Sequence, residues 1–164
     1  MGNLIYVKNC LGKDGKPIKI YKIRTMELDA EHRLDELVHG FDGFGHPIID
    51  PRVTPIGRFL RRYWVDEVPQ LYNLLTGDIK LVGIRPNTEH DWQKYPKEIM
   101  ERALRQQPGL MGVQYAYPPT GDFDIHLMHL TEYMDRWEKD PVQTDRDYFF
   151  RIARNIMFNN VRSS

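Results

Sequence analysis

One cysteine, Cys10, is all that the 164 residues contain, so no disulfide can form within the chain and a reducing cytoplasm suits it. Long apolar runs are missing too. The longest, residues 4–7, is far short of the ~18 residues that a membrane-crossing helix needs, which predicts no bilayer-spanning segment. The start of the chain also lacks the basic, apolar and small-residue regions of a secretory signal. Neither sign of charge is in excess: 23 Lys and Arg stand against 23 Asp and Glu. With no helix-turn-helix, zinc-finger or RNA-binding aromatic signature beside them, these charges argue against nucleic acid as a partner. Six scattered histidines and one cysteine supply no zinc ligand set.

What is present is globular: 41% hydrophobic, 28% charged, 12 Gly and 11 Pro, with enough chain to bury one core. The charge is unevenly spread. Residues 1–62 carry 11 basic against 8 acidic side chains, and residues 63–164 carry 12 against 15. Two basic clusters stand out, Lys13, Lys16, Lys19, Lys22 and Arg24, then Arg52, Arg58, Arg61 and Arg62, and they suit a small phosphorylated ligand.

Residues 18–26 alternate apolar and basic after the turn-forming Asp14-Gly15-Lys16-Pro17, which predicts a hairpin leading into a strand. Residues 27–38 are helix-compatible, and residues 41–51, rich in Gly and Pro, read as a loop. Thr54 followed by Pro55 predicts a helix start, with Ile56, Phe59, Leu60 and Tyr63 on one face and an end near Trp64. A second short helix is expected over 68–76, burying Leu71, Leu74 and Leu75 and stopping at Gly77, before a strand over 79–83. Further helices are expected over 96–107, 125–138 and 145–158, the last with Phe149, Ile152, Ala153, Ile156 and Met157 inward, and a Pro-rich loop over 115–121. No repeat or linker divides the chain. One α+β domain over 1–164, mostly helical with a small antiparallel sheet, accounts for the pattern.

The chemistry concentrates in residues 50–86, where an Asp-Glu pair at a helix junction follows Arg58, Arg61 and Arg62 and precedes Arg85. Carboxylates that can hold Mg²⁺ or attack phosphorus, beside arginines that grip phosphate oxygens in pairs, are the ingredients of phosphoryl transfer. A helix starting just after Asp66 would also aim amides at an anion. Spacing alone leaves a plainer alternative open: Asp66 as a helix cap, Glu67 on the first turn, Arg61 or Arg62 paired with them at the surface, and Lys22 and Arg24 as charges that protect an edge strand.

Four blocks, GKDGKPIKIYKIRTM (12–26), DPRVTPIGRFLRR (50–62), VDEVPQLYNLLTGDIKLVGIRP (65–86) and QPGLMG (107–112), resemble in order the successive motifs of the bacterial sugar transferases, the monotopic phosphoglycosyl transferases. The resemblance implies transfer of a sugar 1-phosphate from a UDP-sugar to a polyprenol phosphate at the cytoplasmic membrane face, with release of UMP, in surface glycan assembly. It makes Asp66 the nucleophile and Glu67 its partner, the two holding Mg²⁺, and it assigns Arg85 to phosphate, with Lys22, Arg24 and Arg61 as further phosphate ligands. A nucleotide-sugar binding or regulatory protein that keeps the pocket without turnover is the alternative, as is a soluble subunit of a membrane glycan-assembly complex.

The chain departs from the family pattern in three ways. Family members place a hydrophobic re-entrant helix before these blocks, and nothing before Gly12 matches it, so the chain is expected to be cytoplasmic or peripheral at the inner membrane face, seated by a membrane subunit or by the lipid surface itself. Ile84 stands where the family has proline, and Val65 and Val68 flank the acidic pair where leucines are usual. The last 50 residues resemble the family only loosely. Their final helix has Phe149, Ile152, Ile156 and Met157 on one side and Arg146, Arg151, Arg154 and Arg162 elsewhere, a composition compatible with an anionic membrane surface.

Overall fold

The computed structural model describes residues 4–27, 29–30, 50–118 and 122–158; most of the expected helix over 27–38 and of the expected loop over 41–51 lies outside them. Alternation in the first basic cluster makes an antiparallel hairpin of β1 (Ile5–Leu11) and β2 (Pro17–Ile23), with Ile5 opposite Ile23 and Leu11 opposite Pro17. Its turn passes through left-handed Asp14 and Gly15, conformations that short polar residues and glycine tolerate. Cys10 and Ile20 project from the hairpin into a small core with Ile79, which Ile18, Leu74 and Leu110 flank.

Helix α1 (Pro55–Arg62) opens as its sequence predicts: Thr54 Oγ1 accepts from the Gly57 amide at 2.8 Å, and Pro55 sits at the first position. Helix α2 (Gln70–Thr76) closes at Gly77, whose φ of 79° suits a residue without Cβ. Strand β3 (Lys80–Gly83) follows, then α3 (Glu89–Trp92) with a reciprocal Thr88–Asp91 cap, and α4 (Lys97–Ala103). Strand β4 (Gly109–Gly112) leads through a 3₁₀ turn (Val113–Ala116) to the long helices α5 (Phe123–Lys139) and α6 (Pro141–Phe158).

The fold is therefore α+β and mostly helical, but of the two small sheets among the described residues only the first is antiparallel. β3 and β4 run parallel, Lys80 beside Gly109 and Gly83 beside Gly112, because α3 and α4 form the crossover that a parallel pair requires. Glycine allows the close pairing: a Cβ on Gly109 would lie 2.1 Å from the Gly83 nitrogen.

The main core lies where α5 and α6 pack on β3 and on the 3₁₀ turn, burying Val82, Val113, Leu130, Tyr133, Met134, Tyr148 and Ile152. Each large side chain buried there contributes ~1.5–3 kcal/mol. A polar tie crosses the same interface: Lys80 Nζ reaches Asp145 Oδ2 at 2.7 Å and the Tyr133 hydroxyl at 3.0 Å, fixing both long helices to β3. Burial lowers the Lys80 pKa, and the bond to Asp145 opposes that shift.

Three expectations need correcting. Leu71 and Leu75 are 49% and 87% exposed; of the three leucines expected inside, only Leu74 packs inward. Met157 is exposed on α6, whereas Phe149, Ile152 and Ile156 do face the core. Tyr115 and Ala116, placed in a loop by their neighbouring prolines, belong to the 3₁₀ turn, and Tyr115 is buried.

Candidate active site

The chain leaves α1 through Trp64, whose φ of 60° and ψ of 15° are left-handed. For a bulky residue that conformation costs ~1–2 kcal/mol, and strain of this kind collects at functional sites. The reversal drives the chain into a 3₁₀ turn (Val65–Glu67) and carries both acidic side chains inward: Asp66 is 2% exposed and Glu67 6%. Asp66 is thus no cap of the next helix, which begins at Gln70 behind Pro69 without a side-chain cap.

The inward direction continues along α2, where Gln70 and Asn73 are buried as well. Asn73 explains how the hairpin is held. Its Oδ1 accepts from the Tyr21 amide at 3.3 Å, and its Nδ2 donates to the Lys19 carbonyl at 2.6 Å, so α2 is stapled to β2. The staple brings Lys22, three residues beyond Lys19, to the acidic turn.

Glu67 Oε1 then lies 2.9 Å from Lys22 Nζ and 3.5 Å from Arg85 Nη2. Arg85 arrives from the segment after β3, and its Nη1 donates to the hydroxyl of Tyr115. Arg61 arrives from the last turn of α1, where its Nε donates to Thr25 Oγ1 at 3.0 Å. Helix α1 can approach Thr25 because position 57 has no side chain; a Cβ there would lie 2.0 Å from the Thr25 carbonyl oxygen. Of the residues singled out in the sequence, Asp66, Glu67, Lys22, Arg61 and Arg85 converge. Arg24, at the end of the hairpin, lies over the Tyr6 ring, 5.6 Å from its centroid.

The electrostatics of this cluster are one-sided, with three cations surrounding two carboxylates. Burial pulls the Lys22 pKa down to about 8, and the Arg85 charge adds to the shift, while Glu67 and Asp66 oppose it. Burial likewise lowers Arg61, with Asp66 acting the other way. For Arg85, burial works against the charge but Tyr115, Glu67 and Asp66 outweigh it, and its pKa is raised. A bound anion would relieve the crowding of Lys22, Arg61 and Arg85, and the low local dielectric magnifies that gain.

Thr25, Asn73 and Tyr115 were missed as parts of the site. Asn73 had a signal, since Asp66, Gln70 and Asn73 recur at spacings of four and three, a polar stripe with the period of a helix face. Thr25 and Tyr115 had none, because their partners are 36 and 30 residues away.

The profile of the family described as bacterial sugar transferase matches residues 1–158. The chain is 37% identical over 141 residues to the galactosyl transferase CpsE of Streptococcus agalactiae serotype III (strain NEM316), covering 83% of this chain and 31% of that protein. It is 32% identical over 169 residues to the undecaprenyl-phosphate galactose phosphotransferase of Salmonella typhimurium (strain LT2), covering 95% and 34%. With the UDP-glucose:undecaprenyl-phosphate glucose-1-phosphate transferase of Escherichia coli (strain K12) it shares 36% identity over 114 residues, covering 68% and 23%. The matched region thus spans a third or less, or barely more than a third, of each of these relatives.

Proposed function

The chain belongs to the bacterial sugar transferase family, and we propose that it moves a sugar 1-phosphate from a UDP-sugar to a polyprenol phosphate, with Asp66 as the nucleophile. The observation that carries this reading is the buried Asp66–Glu67 turn ringed by Lys22, Arg61 and Arg85. The names of the relatives, which include undecaprenyl-phosphate acceptors and UDP-sugar donors, support the same substrate classes.

In the first step a carboxylate oxygen of Asp66 attacks the β-phosphorus of the UDP-sugar. The bond from that phosphorus to the bridging oxygen breaks, UMP leaves with the electron pair, and the phosphosugar is joined to the Asp66 carboxylate as an acyl phosphate. In the second, an oxygen of the polyprenol phosphate attacks the same phosphorus and releases Asp66, giving a polyprenol diphosphate sugar. A carboxylate nucleophile needs no base; what it needs is relief from repulsion by the polyanionic substrate. Arg85 supplies forked donors, Lys22 a point charge, and Arg61 a third cation aimed by Thr25. Glu67 orients Lys22 and Arg85 by holding both. The side chains of Lys22 and Arg85 are 17% and 24% exposed against 6% for Glu67, so the pyrophosphate enters through the cations and meets positive charge first.

Mg²⁺ is the inferred cofactor. Adjacent buried carboxylates fit it, because this ion takes one or two carboxylates and completes its shell with substrate phosphates and water; no group of three or more potential ligands is needed, and none occurs among the described residues. Asp66 and Glu67 would hold it, and it would screen the phosphate charge.

No helix among the described residues is long and apolar enough to cross a membrane. The outer side of α1 and α2 nevertheless exposes Ile56, Phe59, Tyr63, Leu71 and Leu75 next to the site. Such a face suits a peripheral seat on the cytoplasmic leaflet, where the lipid acceptor lies. In an assay with Mg²⁺, polyprenol phosphate in vesicles and a panel of UDP-sugars, the expected product is UMP. Absence of UMP with every donor contradicts the transfer.

A further inference from the structure

We propose that Tyr115 is a positioning residue for this transfer, its hydroxyl fixing the Arg85 fork while its ring braces the turn that carries Asp66. The inference rests on the phosphosugar-transfer reading and adds to it a residue that is neither the nucleophile nor one of the charged groups around it.

Two observations meet at this side chain. The hydroxyl takes Nη1 of Arg85, and the other terminal nitrogen of the same guanidinium, Nη2, faces Glu67 Oε1 at 3.5 Å. With one end of the fork on a phenol and the other beside a carboxylate, rotation of the guanidinium plane is restricted. The ring, meanwhile, stands edge-on to the indole of Trp64, with centroids 4.8 Å apart at 75°. Trp64 is the left-handed residue that reverses the chain two positions before Asp66. One buried side chain therefore touches the phosphate-gripping arginine and the strained entry to the nucleophile's turn. It is itself anchored from α6, where Asn155 Nδ2 donates to the Tyr115 carbonyl at 3.0 Å. Its roles are separable by chemistry: phenylalanine keeps the ring against Trp64 and removes only the hydroxyl.

Tyr115→Phe in the full chain should lower kcat for UMP release on the order of 10- to 100-fold while leaving KM for the UDP-sugar within about threefold and the melting temperature near that of the wild type. A misaligned arginine fails the transition state more than it fails ground-state binding. Tyr115→Leu, which also removes the ring, should lose further activity and melt earlier. A folded Tyr115→Phe variant whose kcat stays within twofold of wild type overturns the proposal, as does a variant that loses only substrate affinity. A second readout does not depend on turnover. In ¹⁵N spectra at low temperature, the Arg85 terminal nitrogens should be resolved in the wild type and averaged in Tyr115→Phe; resolution in both proteins, or in neither, overturns the proposal. Should the wild type release no UMP from any donor, the transfer reading fails on its own, and the spectral comparison still decides whether Tyr115 holds Arg85.

Discussion

Helix α2 and the long helices α5 and α6 are all amphipathic in sequence, yet they present opposite faces to the interior. On α5 and α6 the apolar residues Leu130, Met134 and Ile152 are buried, and Arg102 of α4 meets Asp135 and Glu138 at the surface. Around α2 it is Asp66, Glu67, Gln70 and Asn73 that are buried, while Val68, Leu71, Tyr72 and Leu75 stand in the open. Burying a carboxylate is expensive unless cations and hydrogen bonds accompany it. Lys22, Arg61, Arg85 and the Asn73 staple provide that company, so the polar face can turn inward while the apolar residues of α2 stay exposed. The core around α5 and α6 is built on apolar burial, and the turn before α2 on buried charge.

This contrast can be broken at its strongest point first. Asp66→Asn removes the proposed nucleophile and a buried carboxylate with little change in shape, and it should reduce UMP release on the order of 10⁴-fold while the protein stays folded, as single-turnover assays and circular dichroism would register. Next in size is a core truncation at the other end: Met134→Ala should cost about 2–5 kcal/mol in denaturant unfolding. The third effect separates activity from stability by pH. With the Lys22 pKa lowered to about 8, its charge is lost as pH rises through that value, so KM for the UDP-sugar should climb above pH 8. Stability moves the other way. Between pH 8 and the ordinary lysine value of 10.5 the unfolded chain binds more protons than the folded one, so the contribution of Lys22 to stability rises with pH across that window. A Lys22→Met variant should lose both trends. The smallest effect is the sharpest for the comparison: Leu75→Ala, at 87% exposure, should change unfolding by less than about 0.5 kcal/mol, in contrast to Met134→Ala, yet weaken binding to anionic vesicles in a flotation assay.

Much of this was legible in the residues. Thr54-Pro55 and Gly77 mark helix ends by local chemistry that no tertiary contact overrides, and the alternation of residues 18–23 gave the hairpin. The convergence of Lys22, Arg61 and Arg85 on the acidic pair followed from motifs in register with a known family. The sense in which α2 faces was not legible, since a stripe of leucines looks the same whether it is buried or left exposed; only the polar stripe Asp66, Gln70, Asn73 on its other side distinguished the two. The parallel pairing of β3 with β4 was hidden because each strand has four residues and the evidence for their direction lies in the crossover between them. The contacts of Tyr115 with Arg85 and Trp64 bridge 30 and 51 positions and leave no periodic trace.

In the proposed reaction Asp66 carries the phosphosugar between donor and acceptor. Incubating the protein with a UDP-sugar that it cleaves, without polyprenol phosphate, then quenching in acid and sequencing the peptides by mass spectrometry, tests it most directly. A mass increment of one sugar phosphate is expected on Asp66, lost when the lipid acceptor is added before the quench. UMP released under the same conditions with Asp66 unmodified, or with the increment on another residue, contradicts it.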